Sequence, residues 1–318
     1  MSGWDPVSVV RRAAPCRLRL SLFLSLCLFP LLLLGGCVRA PEPAPYPHES
    51  ILTVIAELKI FLNEDPYRQP PGRDLEGLNI YRVSLKRLDE LMALTGEEYL
   101  DILQFARGES LERLGQYGAA AAAFDRAAAM ETALAPMARQ RASLARRLAD
   151  LLDRQAWGAT LDGFLTDLEA TIRRLEDWLA ESPPWPYDAL LQAEIEQLQV
   201  ERALMLFTNR MVLAGAAERA ISAAEEILQR HQASRRHGEH LLLLGGFFET
   251  MARDWLQRER PERRVEAGLD PSVESWILRA RQAYREAAQR DGDPAKPEAQ
   301  GRLRALDAFD LRMEALAR

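Results

Sequence analysis

The chain has 318 residues, of which 48% are hydrophobic and 7% aromatic. This length accommodates one large domain or two smaller ones, and the abundance of Ala, Leu, Arg and Glu is typical of a mostly helical protein. Residues 1–36 hold four Arg and one Asp. The remaining residues, 37–318, therefore hold 37 basic and 46 acidic groups, which gives them a net charge of −9. An acidic chain without a basic stripe argues against nucleic acid as a ligand and against broad electrostatic binding to anionic lipid.

The N-terminal segment has the pattern of an export signal. Four Arg lie between residues 11 and 19, and the run from Leu20 to Leu34 is apolar or Ser except for one Cys and one Pro. Fifteen residues are too few for a membrane span, which needs about 20, but they suit the apolar core of a signal peptide. We therefore expect residues 1–36 to be removed from the mature protein.

The tetrapeptide Leu34-Gly35-Gly36-Cys37 ends this segment and resembles the lipobox of bacterial lipoproteins. The resemblance implies that Cys37 takes a diacylglyceryl group and becomes the N-terminal residue, so the lipid bilayer is its first partner. Val38 stands where lipoproteins of the inner membrane often have Asp, which implies sorting to the outer membrane with the body in the periplasm. The alternative is a plain secretory signal that happens to contain a Cys.

The other two cysteines, Cys16 and Cys27, leave with the signal. Disulfides, thiolate metal sites and a cysteine nucleophile are therefore excluded from the mature body. In residues 37–49, which follow the signal, prolines alternate with other residues at positions 41, 43, 45 and 47. This pattern favours polyproline II, so the twelve residues after Cys37 form a tether of up to roughly 35 Å.

From residue 50 to residue 318, helix-period patterns alternate with short breakers, and no stretch alternates with period two. We therefore predict an all-α body without a sheet. The predicted helices span 50–63, 75–94, 97–114, 117–130, 135–155, 160–181, 188–214, 217–232, 238–257, 272–290 and 296–316.

The best internal repeat spans about residues 101–134. Gly108 lies late in its first helix, and Ala120, Phe124 and Ala127 lie on its second, a spacing that resembles the tetratricopeptide (TPR) repeat. The resemblance implies antiparallel helical hairpins stacked as an α-solenoid, with Gly108 and Ala120 where the two helices cross and Phe124 between neighbouring hairpins. The alternative is a generic alanine-rich hairpin.

Two further units match more loosely. The unit at about 201–234 has Thr208 at the crossing position. The unit at about 238–290 has Gly245 in its first helix and Tyr284 in its second, with an insertion between them. Between the units, six apolar residues repeat with heptad spacing: Leu161, Leu165, Leu168, Ile172, Leu175 and Leu179. We interpret this segment as half of a helix pair within one chain, since the pattern is short for an intermolecular coiled coil.

Three histidines lie within ten residues, at His231, His237 and His240. Imidazoles at this spacing can share a metal ion, but two neighbouring arginines would repel a cation. We therefore expect a solvated turn between helices and predict no metal.

The fold resemblance implies a protein-binding scaffold or assembly factor that is not an enzyme and carries no cofactor. Its partner would be an unidentified envelope protein or peptide lying on the first helices of the units. The residues predicted to contact it are Phe105, Glu109, Glu112, Arg113, Met205, Asn209 and Val212. The alternative function is a periplasmic cell-wall (peptidoglycan) enzyme or enzyme activator, which would require an acidic cleft.

Overall fold

The computed structural model describes residues 50–64, 79–181, 187–258 and 270–317. Side chains are described in these ranges except at Glu64, Ala156 and residues 309–317. The chain from Ile51 onward forms one compact unit. The predicted signal peptide, Cys37 and the tether lie outside the described residues, so those expectations stay predictions.

Within these ranges the backbone forms eleven α-helices and no β-strand, which confirms the all-α prediction for this part of the chain. None of these helices is both long and apolar enough to span a membrane. The helices are α1 Ile51–Glu64, α2 Ile80–Thr95, α3 Leu100–Arg113, α4 Tyr117–Ala129, α5 Ala135–Leu151, α6 Leu161–Glu181, α7 Asp188–Thr208, α8 Ala216–Arg230, α9 His237–Arg258, α10 Pro271–Gln289 and α11 Lys296–Ala317.

Local sequence signals determine several helix ends. The Asn79 side chain accepts a hydrogen bond from the Tyr81 amide at 2.9 Å and so caps the first turn of α2. Asp270 caps α10 in the same way through the Ser272 amide at 2.7 Å. Gly115, between α3 and α4, has a φ of 70°, a left-handed conformation that glycine adopts without a steric penalty.

The helices pack chiefly on their neighbours in sequence. Extensive backbone contacts join every consecutive pair except α5 and α6, and they are densest between α9 and α10. Helices α5 and α6 are joined by side chains instead, because Leu148 of α5 shares an apolar core with Leu168 of α6 and Leu191 of α7. Each interior helix therefore buries apolar residues against the helix before it and the helix after it.

The heptad segment packs within the chain. Leu168, Ile172 and Leu175 of α6 are buried in one cluster with Leu191 and Leu198 of α7. The interpretation as a helix pair within one chain is confirmed.

Two predicted helices are too long. The segment 135–155 was expected to be helical throughout, but α5 ends at Leu151. The segment 188–214 was expected to be helical throughout, but α7 ends at Thr208. The amide side chain of Asn209 donates a 2.8 Å hydrogen bond to the Met205 carbonyl, which satisfies an acceptor at the helix end. The residues that follow form turns up to Gly215. Gly215 lies directly before α8 and has a left-handed φ of 67°.

Candidate protein-binding site

The hairpin of α3 and α4 has a very close approach at Gly108. A Cβ atom at this position would lie 2.5 Å from Cε1 of Phe124, whose ring is fully buried. Phe124 also packs edge-on against Phe105, with the ring centroids 5.3 Å apart. Gly108 therefore lies where the two helices meet, as predicted, although its nearest neighbour is Phe124 rather than Ala120.

The same pair recurs in the hairpin of α9 and α10. A Cβ atom on Gly245 would lie 2.5 Å from Cε1 of Tyr284. The alanine four residues before the aromatic ring, Ala120 in one hairpin and Ala280 in the other, is fully buried in both. Two hairpins thus share one arrangement of glycine, aromatic residue and alanine. The aromatic residue follows the glycine by 16 positions in the first hairpin and by 39 positions in the second.

The hairpin of α7 and α8 departs from this arrangement. Thr208, expected at the crossing position, is exposed at the last residue of α7, so that assignment is wrong. Ala220 and Ala224 of α8 are buried as expected of the second helix. They share an apolar cluster with Ala203, a fully buried small residue one to two turns before the end of α7.

Two buried glutamates of α3 share one arginine of α5. The Arg141 guanidinium lies 3.3 Å from Glu109 and 3.3 Å from Glu112, and Glu109 also accepts two 2.8 Å hydrogen bonds from Lys59 of α1. Burial raises the pKa of Glu112 to about 7, because the charge of Arg141 offsets only part of the cost of desolvation. This cluster joins three helices and leaves neither carboxylate on the surface.

A third buried carboxylate occupies the matching position in α9. Glu249 follows Gly245 by four residues, as Glu112 follows Gly108. It accepts a 2.7 Å hydrogen bond from the Tyr284 hydroxyl, and burial together with this bond raises the pKa of Tyr284 far above its ordinary value. A cavity of about 350 Å³ adjoins Glu249, but its carboxylate is held by Tyr284 and lies 3.6 Å from Arg302 of α11.

The predicted turn lies between α8 and α9, and Gln232, Ala233 and Arg235 in it are exposed. The histidines themselves are not solvated, because His237 and His240 are buried and His231 is half-buried, so that part of the interpretation is wrong. Nε2 of His240 lies 3.1 Å from one Glu196 oxygen, Nδ1 of His231 lies 3.7 Å from the other, and Ser234 donates to the carboxylate at 2.7 Å. Burial raises the pKa of Glu196, but these polar partners outweigh it and hold the pKa below its ordinary value. Burial lowers the pKa of His231. Over the described residues, no group of three or more His, Cys, Asp and Glu is arranged to hold a metal ion.

An open groove of about 530 Å³ lies between the α7–α8 connection and helices α9 and α10. Its lining combines apolar side chains with the charged residues Arg210, Glu218, Asp254 and Arg258. Met211 and Val212 of the connection are 62% and 75% exposed, and because they are adjacent they form an exposed apolar patch. Arg210 and Asp254 in the lining neutralise each other through a 2.5 Å ion pair. The apolar side chains of the lining are Met211, Val212, Leu213, Met251, Trp255 and Trp276.

The seven predicted contact residues fall into three environments. Buried in helix packing are Phe105, Glu109 and Glu112. Half-buried are Arg113, Met205 and Asn209. Val212 is the exposed member of the set, and it lines the groove. The structure thus does not bring the seven together on one open face, and burial withdraws the first three from direct contact with a partner.

Comparison with known proteins gives no family for the chain. No family model matches the sequence, and no curated protein matches it either. The repeated glycine–aromatic pair, the groove at the α7–α8 connection and the Cys37 motif are therefore the features from which function can be inferred.

Proposed function

We propose that the protein is a lipid-anchored, non-catalytic scaffold of the bacterial envelope. Acylated Cys37 holds it at the outer membrane, and a TPR-like helical stack in the periplasm binds a segment of a partner protein. The stack is an α-solenoid in which each hairpin contacts the hairpins before and after it. A surface of this kind presents side chains from several helices to one extended partner.

The observation that carries the proposal is the repeated pair of Gly108 with Phe124 and Gly245 with Tyr284. One such contact is compatible with any close helix crossing. Two contacts with the same geometry, followed by a buried glutamate at the same spacing, indicate a repeated unit. Packing between sequence neighbours supports the same interpretation.

The groove at the α7–α8 connection is the surface that best suits a protein partner. The exposed side chains of Met211 and Val212 lie beside Trp255 and Trp276 in the lining and form its apolar part. The methionine side chain is flexible and can adapt to a partner, whereas the tryptophan rings are rigid. A partner segment with bulky apolar side chains would bury this surface. Of the seven predicted contact residues, the groove includes Val212. It adds residues of α9 and α10 that were not predicted.

The alternative, a cell-wall enzyme or its activator, would use carboxylates in an open cleft. The acidic residues singled out above, Glu109, Glu112, Glu196 and Glu249, are instead held inside helix packing by basic, hydroxyl or imidazole partners. This environment supports a structural role for them and favours the scaffold.

Replacing Cys37 by Ser is expected to abolish acylation and to leave the protein uncleaved by the lipoprotein signal peptidase, because the residue that takes the acyl group is lost. The measurement is membrane fractionation of the two proteins together with mass spectrometry of the mature N-terminus. Cys27→Ser, in the removable signal, is the matched control and is expected to mature and to sediment with membranes as the wild type does. Cleavage before residue 37 with membrane retention in Cys37→Ser would contradict the lipid anchor.

A photo-reactive amino acid at Val212 is expected to give one discrete crosslinked protein in intact cells. The control position is Leu278 of α10, which is 62% exposed and does not line the groove. The Val212 product should disappear when Met211→Glu places a charge in the groove. Equal crosslinking from both positions, or none from Val212, would remove the groove as the binding surface.

A further inference from the structure

Helix α1 carries apolar residues on two opposite faces. Val54 and Leu58 face the core and are 1% and 0% exposed. Leu52, Ala56 and Ile60 follow one another at intervals of four residues, so they lie on one face of the helix. All three are exposed, Leu52 by 79% and Ile60 by 51%. A helix that packs on the core by one face ordinarily has polar residues on the other.

This outward face belongs to the first helix of the described series. Helix α1 packs on α2 and, through Val54, Leu58 and Lys59, on α3. Terminal helices of stacked arrays need a polar outer face to stay soluble. The exposed side of α1 is only partly polar, because Thr53, Lys59 and Asn63 are exposed beside Leu52, Ala56 and Ile60. Lys59 is bound to Glu109 but keeps 48% of its side chain exposed, and the carboxylate of Glu57 is bound to Arg87 at 2.6 Å. An apolar stripe with polar residues on either side therefore suits the boundary between an apolar and an aqueous environment.

The position of α1 in the chain indicates what that environment is. Helix α1 begins at Ile51, and only residues 38–50 separate it from Cys37. The twelve residues of the tether reach at most roughly 35 Å at about 3.1 Å per residue. If Cys37 is embedded in a bilayer, α1 is the first folded element beyond it. Tethering at this range gives the helix a high effective concentration at the lipid surface, so a weak contact becomes populated.

We propose that the outward face of α1, formed by Leu52, Ala56 and Ile60, lies against the lipid bilayer and inserts its apolar side chains at the boundary of headgroups and acyl chains. The proposal rests on the lipid anchor at Cys37. One acyl anchor and one interfacial helix together orient the body on the membrane, whereas an anchor with a tether alone leaves it free to rotate.

The test uses the acylated full-length protein. Its mature form has one cysteine, Cys37, whose thiol is blocked by the lipid, so a cysteine introduced by Leu52→Cys takes a fluorescent label uniquely. The label is the environment-sensitive dye NBD, and the vesicles contain phosphatidylethanolamine and phosphatidylglycerol with brominated acyl chains. Leu278→Cys is the matched control, since Leu278 is also exposed but lies on α10. We expect quenching by the brominated chains to be several-fold stronger at position 52 than at position 278.

Ile60→Cys is the second variant and should behave as Leu52→Cys does. Equal quenching at positions 52 and 278, with acylation verified by mass spectrometry, would overturn the bilayer contact and leave the lipid anchor intact. A protein without an acyl group would overturn the anchor and the contact together. A blue shift at position 52 that appears in detergent without vesicles and grows with protein concentration would assign the face to a second copy of the chain instead.

Discussion

Replacing Gly108 by Leu is expected to lower the free energy of unfolding by at least about 1–3 kcal/mol, the usual cost of overpacking a core. A Cβ alone would lie 2.5 Å from the Phe124 ring. The ring cannot move aside freely, because it is fully buried against Phe105 and lies 5.4 Å from the Arg141 guanidinium. The measurement is a urea melt. Gly245→Leu should have a matching effect through Tyr284.

The control for this prediction is Gly118→Leu in the same hairpin. A Cβ atom at Gly118, on α4, meets nothing within 4 Å. Because glycine is a poor helix former, this change should be neutral or stabilising by up to about 1 kcal/mol. A midpoint that rises for Gly108→Leu as it does for Gly118→Leu would show that the crossing at Gly108 is not close, and the repeat would lose its main support.

Replacing Glu112 by Gln is expected to stabilise the protein above pH 7 and to have little effect near pH 4.5. The folded protein holds the Glu112 proton up to a pKa of about 7, whereas the unfolded chain releases it near 4.5. Folding is therefore favoured by protonation below pH 4.5, and this contribution is lost as the pH rises towards 7. The raised pKa corresponds to a penalty of about 3 kcal/mol at pH 8, as an order of magnitude. A glutamine at position 112 carries no charge and so avoids this penalty, while Arg141 still pairs with Glu109.

The measurement is the difference in unfolding free energy between Glu112→Gln and the wild type at several pH values from 4.5 to 8. Taking the difference removes the contributions of other titrating groups, including His231 and Glu196. A constant difference for Glu112→Gln across the interval would mean that the buried carboxylate ionises normally.

The sequence predicted the helices well because their signals are local. Apolar periodicity, capping side chains and glycines act within one or two turns of chain, so α3, α4 and α8 begin and end within a few residues of the expected positions. The end of α7 was missed because Met211, Val212 and Leu213 continue an apolar pattern without a breaker. Their exposure, which makes them a candidate binding surface, depends on tertiary packing that periodicity does not report.

The partners of the buried polar groups were not predictable in the same way. Glu109 and Glu112 were expected on an open face because tetratricopeptide register places them there. Arg141 reaches both from α5, about thirty residues along the chain, and that meeting depends on the rotation of α5 about its axis. Likewise the histidines were noticed by their spacing, but Glu196, which organises them, comes from α7 and carried no local signal.

The preference of each helix for its sequence neighbours has a consequence for how the chain folds. Contacts over short sequence separations cost little loop-closure entropy, and helical proteins dominated by them fold in microseconds to milliseconds. As the chain emerges on the far side of the membrane, α1 can pair with α2 before α3 has crossed, and each later helix finds its partner already in place. A partly exported chain then exposes chiefly the apolar stripe of its newest helix, which keeps the aggregation-prone surface small at every length.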